Sequence, residues 1–82
     1  MIKFTTKQVE ILQVIKAGNP DGTACSVYDI LKGITYECKR DAMLHSIRVL
    51  VDNGYVERKG LVNRDGKAVR IFNVTTKAME IL

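Results

Sequence analysis

The tightest constraint on the fold lies at Asn53-Gly54, where apolar residues stop recurring at helical spacing and β-branched and bulky residues take over. Upstream, Ile11, Leu12 and Ile15, then Val27, Ile30 and Leu31, then Met43, Ile47, Leu50 and Val51 each make one apolar stripe at intervals of three and four. Downstream, Val56, Leu61, Val62, Val69, Ile71, Phe72 and Val74 flank a turn at Asn63-Arg64-Asp65-Gly66. Asp-Gly between two such runs is a strong hairpin signal, because both residues tolerate the positive φ of a tight turn. A helical half joined to a hairpin half makes an α+β chain. Its 82 residues leave room for one core, so residues 1–82 read as a single domain.

Capping residues set the expected boundaries. Thr5 with Gln8 fits a capping box that opens a helix over 5–17, and Gly18-Asn19-Pro20-Asp21-Gly22 ends it. Thr23-Ala24-Cys25 is expected as a short strand. Ser26, with Asp29 at the third helical position, caps a second helix over 27–32 that Gly33 stops. Ile34-Thr35-Tyr36 connects it to a longer third helix over 37–52, with Lys39, Arg40, His45 and Arg48 largely off its apolar face. Gly60 within the first strand implies a bulge or a close approach, and imperfect alternation leaves the hairpin register open. Thr75 or Thr76 caps a helical tail over 77–82, with Met79 and Leu82 expected to face inward.

Composition narrows the function classes. At 46% hydrophobic and 27% charged residues the chain matches a soluble globular protein. It has no apolar run approaching the roughly 18 residues that cross a bilayer. Met1–Thr5 lacks the long hydrophobic stretch of a signal peptide, and a cytoplasmic location is expected. Cys25 and Cys38 are expected as thiols in or near the core, although a disulfide between them is geometrically possible. A single histidine, no paired carboxylates in a glycine-rich setting and no phosphate-cradling loop leave catalysis without a constellation, so no enzyme and no small-molecule substrate is expected. Cys25, Cys38 and His45 do not match the paired spacings of zinc sites; neither metal nor cofactor is expected.

The net charge of +4 is unevenly placed. Residues 1–38 balance, whereas 39–82 hold nine bases against five acids, so a polyanionic partner would meet the second half. Two helices joined through a glycine-containing turn, the second longer and cationic at its start, follow the helix-turn-helix plan, and a hairpin directly after them makes a winged helix. The segment Ile47-Arg48-Val49-Leu50-Val51-Asp52-Asn53-Gly54-Tyr55-Val56-Glu57-Arg58 resembles the end of the recognition helix in MarR-like and PadR-like bacterial transcription regulators. Phe72-Asn73-Val74-Thr75-Thr76-Lys77-Ala78 is similar to their segment after the wing, with Ala78 where those proteins usually carry glycine. The resemblance spans about residues 5–80. It implies a winged helix-turn-helix: a three-helix bundle with a short strand, a hairpin wing and a helical tail. It also implies binding of double-stranded DNA as a transcription regulator.

On that plan the third helix enters the major groove and its early exposed residues meet base edges. Arg40 is the candidate for a guanine edge and His45 for a base or phosphate, with Arg48, Lys39, Thr35 and Tyr36 toward the backbone. On the wing, Arg58, Lys59, Arg64, Lys67 and Arg70 stand against Glu57 and Asp65, and Arg64 at the tip is placed for a flanking minor groove. Each has a plainer role open to it: Arg40 paired with Glu37 or Asp41, His45 as simple surface, Tyr36 as packing. The third helix is neutral overall, and Leu44 on its exposed side would equally suit a winged helix that docks on a protein. Flanking helices of the kind that dimerise the family have no room in the 82 residues. A homodimer would therefore need an apolar surface from Met1–Phe4 and Met79–Leu82, ends that could equally close the core.

Overall fold

The computed structural model describes residues 4–80 and 82. The elements run α1 (Thr6–Ala17), β1 (Cys25–Ser26), α2 (Val27–Gly33), α3 (Arg40–Asp52), β2 (Val56–Arg64), β3 (Lys67–Val74) and α4 (Thr76–Met79). Three strands form one antiparallel sheet in the order β1-β3-β2, so the short strand joins the hairpin on its β3 side. Ile11, Leu12 and Ile15 from α1, Ile30 from α2, and Met43, Ile47 and Leu50 from α3 close over Cys25, Tyr55, Val56 and Phe72 to make the core. These are the apolar stripes marked by the sequence, and their removal from water is the main favourable term in folding.

The caps form where the side chains dictate. Thr5 and Gln8 make both bonds of a capping box on α1, and Ser26 and Asp29 do the same on α2. At the other end of α3 the Gly54 N–H donates to the Val51 carbonyl at 3.0 Å and the Tyr55 N–H to the Leu50 carbonyl at 2.9 Å. This Schellman closure requires the φ of +82° that Gly54 adopts. It turns the chain directly from α3 into β2, which explains the abrupt change of pattern in the sequence. Thr75 then caps α4 and donates its hydroxyl to the Gly54 carbonyl at 2.6 Å, fastening the tail beneath that junction.

Several boundaries differ from expectation. β1 sits at Cys25–Ser26, one to two residues later than Thr23–Cys25, because its partners on β3 are Phe72 and Ile71. Gly33 is the last residue of α2 and not its stop: a Cβ there would lie 2.9 Å from a Val14 methyl, so the glycine lets α1 and α2 approach. α3 begins at Arg40 and not at 37: its N-cap, Lys39, is extended, and in the connection before it the Thr35 N–H donates to the Glu10 carboxylate at 2.7 Å. Met79 faces solvent at 48% exposure; the phase fixed by the Thr75 cap points Ala78 inward. Gly60 marks a bulge, with the register shifting between Arg58 and Leu61 and open space where its Cβ would be. The turn at Asp65-Gly66 has φ of +52° and +79°, the two left-handed residues expected of Asp-Gly. Both cysteines are free thiols, Cys25 buried and Cys38 partly so. Among the described residues no helix is long and apolar enough to cross a membrane. Met1–Lys3 and Ile81, part of the apolar ends considered for pairing, lie outside the described residues.

Candidate nucleic-acid interface

Because α3 buries Met43, Ile47 and Leu50, its helical period leaves Asp41, Ala42, Leu44, His45 and Arg48 exposed. Arg40, Leu44 and Arg48 stand at successive intervals of four and so form one row. Arg40, at the first position of the helix, donates from Nη1 to the Tyr28 hydroxyl on α2 at 3.2 Å. Its other nitrogen is 3.9 Å from Asp41, an exposed pair of little energetic weight. The bond to Tyr28 and the nearby Asp41 raise the Arg40 pKa still further above its normal value. Tyr28 itself is 46% exposed, although sequence reading singled it out for nothing. Its signal was an aromatic ring lying off the Val27, Ile30, Leu31 stripe of α2.

β1 pairs only with Ile71 and Phe72, so the part of β3 from Lys67 to Arg70 extends beyond it with an unpaired edge. That edge borders a shallow groove whose other wall includes Tyr28 of α2 and Leu44 of α3. Leu44, the middle residue of that row, and the cationic stretch of β3 therefore open onto the same space. Lys67 and Arg70 are exposed there, and Arg70 also donates to the Lys59 carbonyl at 3.2 Å, bracing the bulge. Arg58 is exposed on β2, while Lys59 is paired with Glu57 at 3.1 Å. Arg58, Lys67 and Arg70 have no ion-pair partner among the described residues.

The remaining candidates divide. Lys39 is exposed as the N-cap of α3 and makes no side-chain capping bond, so its ammonium is free to reach outward. His45 is exposed with neither a hydrogen bond nor an ion pair among the described residues. Thr35 is exposed. Tyr36 is half-buried, with the Lys7 ammonium 5.1 Å from its ring centre; burial, with Cys38 and Glu10 nearby, pushes its pKa up and keeps it a protonated donor.

The sequence places Arg64 at the hairpin tip for a flanking minor groove, and it stands there as the last residue of β2, but its guanidinium turns back on the body of the protein. Nη1 binds the Asp29 carboxylate, and Nη2 reaches the Ala24 carbonyl at 3.1 Å and the Thr23 hydroxyl at 3.3 Å. The physical reason is that Asp29, the capping-box residue of α2, is a partly buried anion within reach of the curled hairpin. Burial alone would raise the Asp29 pKa. Bonds from the Ser26 N–H and hydroxyl, Asn19 and Arg64 outweigh that and hold it at about 2.

Among solved structures, Bacillus subtilis PadR in complex with operator DNA superposes with a TM-score of 0.71 at 15% identity. The match covers 96% of this chain and 45% of that one. The fold is a winged helix-turn-helix. A PadR family transcription regulator from hypervirulent Clostridium difficile R20291 is similar too, with a TM-score of 0.70 at 13% identity over 90% of this chain and 76% of its own. No family model and no curated protein matches the sequence. The chain thus spans about half the length of the Bacillus protein it resembles. In winged-helix terms α2 and α3 are the helix-turn-helix and β2-β3 is the wing. The wing carries the surplus of positive charge, whereas α3, with Arg40 and Arg48 against Asp41 and Asp52, is neutral. Among the described residues no group of three His, Cys, Asp or Glu side chains could hold a metal ion.

Proposed function

We propose that this chain is a single winged-helix domain that binds double-stranded DNA in the cytoplasm as a small, sequence-specific transcription regulator without chemistry of its own. One observation carries the reading: Leu44 and Tyr28 share a groove with the Lys67–Arg70 edge of the wing, so helix and wing address one partner surface. The similarity to a regulator solved on its operator supports the same choice of partner. In this reading α3 enters the major groove with Arg40 and His45 toward base edges, and Tyr28 holds the Arg40 fork near its working position. Lys39, Arg48, Arg58, Lys67 and Arg70, with Thr35 and Tyr36, lie against the phosphates, and Lys59 adds a weaker contribution because Glu57 offsets it.

The charge distribution makes the wing the main source of non-specific attraction. If the five unpaired cations just named each neutralise one phosphate, log K falls with log[salt] at a slope of about −4 to −5. Fluorescence anisotropy on a labelled duplex measures this slope directly. Absence of binding at low salt rejects the proposal.

A second reading has specific support in exposed apolar side chains: Leu44 is 40% and Leu61 60% exposed, and both lie on the helix and wing that would meet a partner. On that reading the same face docks on a protein, and Leu44→Ala abolishes capture of the partner while leaving duplex binding unchanged. A homodimer would use other surfaces; Phe4 is already engaged edge-to-face with Tyr55 at 4.7 Å, which leaves Met79 as the exposed apolar side chain at that end among the described residues.

A further inference from the structure

Beyond Ile71 the wing has no third strand. The residues from Leu61 to Arg70 form a two-stranded ribbon, and such ribbons are marginally stable alone in water. Among the described residues, Arg64 is the ribbon side chain that hydrogen-bonds to the helical body. It spans from the last residue of β2 to the first turn of α2 and to the loop that precedes β1. That loop is itself ordered: Asn19 reaches the Thr23 hydroxyl at 3.0 Å, the Ala24 carbonyl at 3.3 Å and the Asp29 carboxylate at 3.2 Å. Asp21 accepts from the Thr23 hydroxyl at 2.6 Å, which orients the oxygen that Arg64 meets.

The burial of the pair separates it from the other ion pairs. Arg40–Asp41 leaves its side chains 57% and 92% exposed and Lys59–Glu57 46% and 48%, whereas Arg64–Asp29 leaves them 30% and 20% exposed. Pairs shielded from water hold their geometry, because solvent and salt compete poorly for them. An arginine whose fork is occupied by a carboxylate, a carbonyl and a hydroxyl is not available to a phosphate.

We propose that Arg64 is a positioning residue: it latches the wing to Asp29 and the Thr23-Ala24 segment, so that Lys67 and Arg70 stay opposite α3, and it does not itself contact nucleic acid. The proposal rests on the DNA-binding reading for its consequence, but the latch is testable without DNA. Loss of the latch lets the wing swing. If the latched fraction then falls to about one third, apparent affinity for a duplex falls about threefold.

The test uses the full chain with Arg64→Gln and, separately, Asp29→Asn, measured in two ways. Amide hydrogen exchange of residues 61–70 without DNA reads the latch. Both substitutions are expected to speed exchange there, with α1 amides unchanged in Arg64→Gln; unchanged wing exchange in Arg64→Gln overturns the proposal. Duplex binding across a salt series reads the role. Arg64→Gln is expected to weaken binding with an unaltered salt slope, whereas a slope shallower by about 0.9 would mean that Arg64 neutralises a phosphate and would overturn it. Asp29→Asn sets the two roles in opposite directions. A latch predicts weaker binding even though a negative charge has been removed, and tighter binding would show that Asp29 restrains a DNA-contacting arginine. If the unaltered chain binds no duplex, the functional reading fails and the exchange comparison still decides whether the latch exists.

Discussion

Asp29→Asn is expected to destabilise the fold as well as loosen the wing, and the size of the effect follows from the carboxylate's surroundings. Four bonds, from the Ser26 N–H and hydroxyl, Asn19 and Arg64, converge on one oxygen and bring the pKa from 3.8 down to about 2. Such a depression corresponds to roughly 2–3 kcal/mol of preference for the charged form in the folded state. Because the folded pKa is the lower one, this stability is fully present above the unfolded value and is lost as pH falls through the folded value. Asparagine keeps one carbonyl acceptor, so a loss of about 2 kcal/mol near pH 7 is expected, worth about 10 °C in Tm for a chain of this length. At about pH 2.5 the carboxylate contributes under about 1 kcal/mol, so the gap between the two proteins should narrow. Urea unfolding followed by circular dichroism at the two pH values measures both quantities. A difference below about 0.5 kcal/mol near neutrality, or a gap that does not shrink in acid, would refute the reasoning.

Four further outcomes are expected. Gly33→Ala pushes a Cβ to 2.9 Å from a Val14 methyl and should cost about 1–3 kcal/mol, read as a lower thermal midpoint with the same helical signal. Thr75→Val removes both the cap on Ala78 and the 2.6 Å bond to the Gly54 carbonyl, and a loss of about 1–2 kcal/mol in urea unfolding is expected. In binding assays Arg48→Ala should weaken affinity alike for all duplexes and make the salt slope shallower by about 0.9, whereas Arg40→Ala should reduce discrimination between preferred and random duplexes.

Local chemistry made most of the architecture legible before any coordinates. The two capping boxes, the positive φ demanded of Gly54 and the Asp65-Gly66 turn are each encoded within a few residues, and each forms where the sequence puts it. What was illegible depends on contacts distant in sequence. Nothing near Gly33 reveals that Val14 packs against it, so a packing glycine reads as a helix stop. The connection into α3 is tied at the Thr35 N–H to Glu10, 25 residues away in the sequence. Arg64 and Asp29 are 35 residues apart, and each alone has a sufficient local explanation, one as a tip cation and the other as a cap. Tyr28 was missed for a similar reason: its partner is an arginine on another helix.

The central claim is that one face, made by α3 and the β3 edge of the wing, receives duplex DNA. Chemical-shift mapping of the isotope-labelled chain against a mixed-sequence duplex at low salt tests it most directly. Shifts are expected to concentrate at Lys39–Arg48 and Lys67–Arg70, with the exposed side of α1 at Gln13 and Lys16 unaffected. Shifts centred on α1, or none at either α3 or the wing, would contradict it.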